Sequence, residues 1–127
     1  MQHPMQNLAD EARKVLGSRR LAGDNWAGSV AAAIETADGH IYRGVCIDVC
    51  SSMGFCAEHA AIAAMVTAGE THIRRCVAVY EDGQVVAPCG RCREFISQID
   101  ERNLDADIGI RSGMVKLREL LPHRWDE

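Results

Sequence analysis

Apolar residues at Met5, Leu8, Ala9, Ala12, Val15 and Leu16 recur every three or four positions, which predicts a helix over residues 5–16 that Gly17 stops. Residues 1–4 form an unanchored start. Residues 18–28 mix Arg, Gly, Asp and Asn without a period and read as a loop, in which Trp26 has the most surface to bury and is expected to anchor packing. Two short strand patterns follow at 29–35 and 40–47, and Asp38-Gly39 between them predicts an antiparallel hairpin. A loop at 48–54 leads to an Ala-rich helix over 56–68 that Gly69 can end. This helix has so few polar positions that most of its sides must be covered, by sheet, by helix or by another subunit.

Residues 75–80 read as a strand, 81–84 as a turn and 85–87 as a short extension ending at Pro88. A second helix follows, with Cys92, Phe95, Ile96 and Ile99 on its inner face and Asn103 as its end. Residues 107–110 form a brief strand, Ser112-Gly113 a turn, and 115–121 a last helix stopped by Pro122. The alternation of strand and helix predicts an α/β fold with parallel crossovers and helices on both faces of one sheet. At 127 residues, with no repeat or linker, residues 1–127 are expected to form one domain.

Charge changes the picture little. A net charge of −4 argues against a nucleic-acid partner, which would call for a basic face, and favours a small-molecule one. No apolar run approaches the roughly 20 residues of a membrane span, and a secretory signal is lacking, so a cytoplasmic protein is expected.

The six cysteines change it more. Three disulfides suit shorter scaffolds that are poorer in helix and strand pattern. Cys89-Gly90-Arg91-Cys92 at a helix start lets two sulfurs converge on one soft metal ion, and Cys56, opening the Ala-rich helix, is the obvious third ligand. Cys46, Cys50 and Cys76 are left as free thiols, Cys76 as a small buried hydrophobe. Three protein ligands leave a coordination position for water, and Glu58 stands where a carboxylate can move that water's protons. A zinc-stapled interaction domain without catalysis is the alternative, and it has no use for Glu58.

Cys56-Ala57-Glu58 opening one helix and Pro88-Cys89-Gly90-Arg91-Cys92 opening the next resemble the cytidine deaminase superfamily. Pro88 to Arg93 and the terminal Trp125 are most similar to its blasticidin S deaminase branch. The resemblance covers Gly44 onward and the closing Arg118 to Pro122. It implies a three-layer α/β/α fold with a five-stranded mixed sheet, and Zn2+ held by Cys56, Cys89 and Cys92. It also implies a homotetramer, or at the least a dimer, whose subunits complete one another's pockets. The implied reaction is hydrolytic deamination of a free cytosine-type nucleoside, that is cytidine, deoxycytidine or a blasticidin S-like aminopyrimidine, with release of ammonia. Another amino-substituted heterocycle is the enzymatic alternative.

In this resemblance Glu58 is the proton shuttle, the Ala57 N–H meets the ring carbonyl, and a carbonyl around Pro88 accepts from the leaving amine. Many cytidine deaminases carry Arg directly after the catalytic Glu, where this chain has His59. Arg91 or Arg93 is then expected to balance the thiolate charge and keep the zinc electrophilic, with His59 as the next candidate. His59 is expected to be packed or solvent-facing, since adjacent helical residues face different directions; as a fourth ligand it would close the site. The Asn-x-Glu pair that holds ribose in cytidine deaminases corresponds to Cys46 and Asp48, and a thiol is a poor substitute for the amide. Trp125 is expected either to cover the substrate or to pack against a neighbouring subunit.

Overall fold

The computed structural model describes residues 3–127, so Met1 and Gln2 of the expected unanchored start lie outside the described residues. His3 and Pro4 are not loose. His3 caps helix α1 (Pro4–Arg13), its Nδ1 accepting from the Met5 N–H at 3.0 Å, and Pro4 takes the first helical turn, where its missing N–H costs nothing. Lys14 ends the helix, and residues 15 and 16 turn back through i→i−3 bonds, so α1 is shorter than its apolar period suggests.

Seven strands form one mixed sheet: β1 (Arg19–Arg20), β2 (Trp26–Thr36), β3 (Ile41–Asp48), β4 (Ile73–Tyr80), β5 (Val85–Val86), β6 (Asp107–Ile110) and β7 (Gly113–Lys116). Its five-strand core runs β3-β2-β4-β6-β7, with β1 added to the start of β2 and β5 to β4. Among the described residues only β4 and β6 pair in parallel. The crossover from β3 to β4 does make those two strands parallel, but both pair antiparallel with β2, which lies between them. Trp26 opens β2 and remains 46% exposed, so within this chain it is not the packing anchor expected of it.

Side chains alternate across the sheet as a period of two requires. Ala31, Ala33, Val77 and Val79 face α1, packing with Met5, Leu8, Ala9 and Ala12. Ala32, Ile34, Cys76 and Ala78 face the other layer, where they meet Ala57, Ala61, Ile62 and Met65 of α2 (Ala57–Thr67) and Ile96 of α3 (Gly90–Ile99). The result is the three-layer α/β/α arrangement with helices on both faces. Helix α2 lies close on β3 because position 44 is glycine: a Cβ there would sit 2.5 Å from the Ala60 Cβ and 2.5 Å from the Ala61 nitrogen.

Two predicted helical segments turn out otherwise. Helix α3 ends at Ile99, and Asp100 leaves the helix to cap a 3-10 turn at Glu101–Asp105. Asn103 lies in that turn, fully buried. Its Oδ1 accepts from the Ile73 N–H at 2.7 Å, and its Nδ2 donates to the carbonyls of Thr71 and Ile96, tying β4 to the end of α3. The expected last helix at 115–121 is instead the end of β7, antiparallel to β6, followed by a 3-10 turn at Leu117–Leu120. The Ser112-Gly113 turn makes a hairpin with β6, and its ladder takes Val115 and Lys116.

Candidate active site

Both helix N-termini that face the end of the sheet are capped by cysteine. Cys56 is the N-cap of α2 and Cys89 that of α3, each in extended backbone, and neither makes a side-chain capping bond. The sulfurs are therefore free to turn toward each other. Cys56 Sγ lies 3.6 Å from Cys89 Sγ, and Cys89 Sγ lies 3.4 Å from Cys92 Sγ in the first turn of α3. All three sulfurs fall within 4.8 Å of one another, and all six cysteines of the chain are free thiols. Tetrahedral zinc with bonds of about 2.3 Å to sulfur needs sulfur–sulfur edges of about 3.8 Å, so this donor set fits zinc.

The electrostatics fit a cation as well. Burial raises the pKa of Cys56, with Cys89 adding to the rise, and burial followed by the Glu58 charge raises that of Cys92. At Cys89 burial pushes upward too, but hydrogen bonds from the Cys92 backbone, Cys92 and Cys56 side chains and Arg91 backbone outweigh it and hold the thiol below its ordinary value. Glu58 is only 4% exposed, and burial raises its pKa against the opposing pull of its own backbone N–H and of Cys92. Buried groups that resist ionisation together are relieved by a shared divalent cation.

A cavity of about 500 Å³ opens onto this cluster, bounded by the start of β2, the end of β3, the 49–55 loop and the two helix N-termini. Cys46, Asp48, Cys56, Ala57, Glu58, Cys89 and Arg91 all line it. Ala57 is the first residue of α2, so its N–H has no partner within the helix. The cavity exists partly because β2 bulges. Ala27 pairs with Ile47 but Ala31 with Val45, and between them β2 carries extra residues opposite Cys46. In the bulge the Val30 N–H donates to Cys46 Sγ at 3.4 Å, and Ser29 Oγ lies 3.3 Å from the same sulfur. Cys46 Sγ lies 3.6 Å from Asp48 Oδ2, making a chain of polar groups along one wall.

Ser29 and Phe55 line the cavity without having been singled out in the sequence. Gly28, expected in the preceding loop, lies inside β2 at φ +87° and marks the bulge that brings Ser29 in. Phe55 precedes the first metal motif directly and is held by a two-way backbone pair with Ile47.

Other expected site residues lie elsewhere. Pro88 is buried beside the cavity, between Ala87 and Cys89 of its lining, and its carbonyl accepts from Arg93 Nε at 2.8 Å. Arg93 also donates to the Leu120 carbonyl, so its hydrogen bonds clamp α3 to the C-terminal 3-10 turn and none reaches a sulfur. Trp125 is 73% exposed and takes no part in the cavity lining.

His59 is packed, as one of its expected placements had it, but it does not point away from the ligands: half-buried, its Nδ1 lies 3.4 Å from Cys92 Sγ, and its ring stacks on Phe95 with centroids 4.5 Å apart and planes 7° from parallel. The expectation compared His59 with its sequence neighbour Glu58. The relevant spacing is from Cys56, three residues earlier and therefore on the same helical face. Burial, and then the Arg91 charge, hold its pKa below the ordinary imidazole value.

A family model described as the cytidine and deoxycytidylate deaminase zinc-binding region matches residues 5–104. Among solved structures, a cytidine deaminase from Mycobacterium tuberculosis is 25% identical with a TM-score of 0.82, covering 98% of this chain and 98% of its own. One from Bacillus anthracis is 27% identical with a TM-score of 0.72, covering 97% of this chain and 90% of its own. One from Mycobacterium leprae, 23% identical with a TM-score of 0.81, shares the fold over 96% of this chain and 100% of its own.

Proposed function

This chain belongs to the cytidine and deoxycytidylate deaminase family of zinc-dependent hydrolases, and we propose that it deaminates a free cytosine-type nucleoside. One observation carries the reading: a buried carboxylate, Glu58, borders a cavity of nucleoside size beside three converging cysteine sulfurs. A zinc-stapled interaction domain would gain nothing from burying that carboxylate.

Cys56, Cys89 and Cys92 hold the zinc, and two helix N-termini favour their thiolate form. When bound, zinc supplies the Lewis acidity that lets water lose a proton near neutral pH. Glu58 takes a proton from the attacking water and delivers it to the ring nitrogen, while the water oxygen bonds to the carbon that bears the amine. Glu58 then passes the second proton of that water to the amine. The carbon–nitrogen bond breaks, ammonia leaves, and the remaining carbon–oxygen bond becomes the ring carbonyl. Burial suits Glu58 to this work, because a carboxyl held above its ordinary pKa carries a proton between the two steps.

The Ala57 N–H is the donor for the ring carbonyl. The Pro88 carbonyl has a second lone pair beside the one Arg93 uses, and we assign it to the leaving amine. The far end of the substrate meets the wall of Ser29, Cys46 and Asp48. Cys46 is 6% exposed and already surrounded by Ser29, the Val30 N–H and Asp48, so it offers a sugar hydroxyl little. Recognition at that end is therefore permissive. No helix among the described residues is long and apolar enough to cross a membrane. The substrate is a free small molecule, since the net charge of −4 gives no basic face for nucleic acid.

The full chain works as one domain in a homotetramer. Helix α2 is apolar on all sides, yet Ala63, Ala64 and Val66 are exposed, and a second copy of the chain would cover them. We assign the exposed Trp125 to packing in that assembly.

Ammonia release by the zinc-loaded protein from cytidine, deoxycytidine, cytosine and blasticidin S tests the activity. At least one nucleoside should turn over, and turnover of none would overturn the proposal. A site without a designed hydrogen bond does not reach the roughly 10⁴-fold discrimination of one built around it. A preference for cytidine above about a thousandfold over every other compound would refute the argument from Cys46.

A further inference from the structure

We propose that His59 is a positioning residue for the Cys92 thiolate, donating its Nδ1–H to the sulfur while the face of its ring is locked on Phe95. The inference rests on the reading of Cys92 as a zinc ligand. Cys56 and Cys92 each lie three residues before one member of the stacked pair, Cys56 before His59 on α2 and Cys92 before Phe95 on α3. The two helices are thus braced against each other by the turn that follows a ligand on each side. Across that brace, His59 Nδ1 reaches Cys92 Sγ at 3.4 Å. A ligating cysteine is a thiolate and has no proton to give, so Nδ1 must be the donor. This holds for the neutral imidazole with its proton on Nδ1 and for the imidazolium alike.

Cys92 also differs from the other two ligands in having need of such a partner. Cys56 and Cys89 are N-caps, the first half-buried and the second exposed, whereas Cys92, the third residue of α3, is fully buried. Arg93, the neighbouring cation, spends its guanidinium on the carbonyls of Pro88 and Leu120. From the α2 side, where Cys56 and Glu58 also approach this sulfur, His59 brings a ring N–H to it. A hydrogen bond to a thiolate draws off part of its donor strength and fixes the direction of its lone pairs, which sets both the affinity and the electrophilicity of the metal.

The test replaces zinc by cobalt(II) and follows the thiolate-to-cobalt charge-transfer band together with metal affinity by chelator competition. His59→Phe keeps a ring on Phe95 but loses the donor. The band should move to lower energy, and affinity should fall by about 10- to 100-fold. His59→Asn places an amide N–H near the position of Nδ1 and should restore band and affinity toward wild type, whereas His59→Gln places it too far along and should behave like His59→Phe. If His59→Phe does not fold, the contrast between Asn and Gln, both polar, still decides the matter. Wild-type band and affinity in His59→Phe would overturn the proposal, as would equal defects in Asn and Gln, which would leave packing as the cause. A cobalt spectrum showing His59 as a fourth ligand would overturn it too. Absence of any thiolate charge transfer in the wild type would remove the metal reading itself, and the role of His59 with it.

Discussion

At Gly44 the helix that carries Cys56 and Glu58 rests on strand β3 with no room between backbones. A Cβ at this position would lie 2.5 Å from the Ala60 Cβ, 2.5 Å from the Ala61 nitrogen and 2.8 Å from the Ala60 carbonyl carbon. Ordinary contact begins at 3.4 Å, so Gly44→Ala obliges α2 to retreat by about 0.9 Å, the difference between 3.4 and 2.5 Å. These are backbone atoms and the Cβ of a helix, and no flexible side chain can absorb the move. Overpacking of this kind costs about 1–3 kcal/mol, which for a domain of this size lowers Tm by about 4–12 °C.

The effect on activity should be larger than that loss implies. Cys56 and Glu58 travel with α2, while Cys89 and Cys92 belong to α3, so the retreat opens the contact between the Cys56 and Cys89 sulfurs, now 3.6 Å. A displacement of about 1 Å at reacting groups can cost about 10²-fold in turnover. The assay is kcat at saturating metal and substrate, at a temperature where the variant is folded, together with zinc content and a thermal melt. Gly90→Ala is the control: it stands between Cys89 and Arg91 at the start of α3, but an added Cβ there meets nothing within 4 Å. It should be neutral on both measures. If Gly44→Ala keeps both Tm and turnover, α2 is not positioned by its contact with β3 and the reasoning fails.

Glu58→Gln should keep fold and zinc content yet lose turnover by about 10²- to 10⁴-fold for each proton transfer it serves; unchanged kcat would assign the proton to another group. Asn103→Ala strands the buried Ile73 N–H and two carbonyls, and urea unfolding should show a loss of about 2–3 kcal/mol with little change in kcat per folded molecule. Hydrogen bonds from Tyr42 first, then Thr36 and His40, hold the Glu70 pKa below its ordinary value. The stability this contributes is full above the unfolded-state pKa of about 4.3 and fades as pH falls through the lower folded value. Melts of wild type and Glu70→Gln should therefore converge as pH falls below about 4, and a constant gap would exclude the linkage.

Apolar patterning made the central elements legible. The continuous apolar run of 30–34 and the small residues of 56–68 reflect a sheet covered by helices on both sides, and both appear where they were expected. The ends of the chain were less legible for a physical reason. The 115–121 segment carries Val115, Leu117, Leu120 and Leu121, a spacing that a helix satisfies. The pairing of Ile108 with Val115 and Asp107 with Lys116 is a contact between separate segments that no local window contains. Asn103 shows the same limit: as a helix stop it is a local signal, but its side chain is spent on Thr71, Ile73 and Ile96, which only the tertiary fold brings together.

At the site, motif spacing located the groups that must share an ion, because Cys56, Cys89 and Cys92 all sit in the first turn or cap of their helices. What the spacing left open was how those sulfurs are supported. Arg93 and Arg91 were natural candidates by charge and adjacency, yet the Arg93 guanidinium donates to the carbonyls of Pro88 and Leu120. The group that does reach Cys92 comes from the other helix, and its face is fixed by the three-residue step from Cys56 to His59. The same logic applies to the substrate wall: Cys46 and Asp48 were visible on one strand, but Ser29 joins them because a bulge after Gly28 turns β2 inward. In both cases the missing information is the relation between two elements. A helix or strand sets which residues share its own face, and packing decides what that face meets.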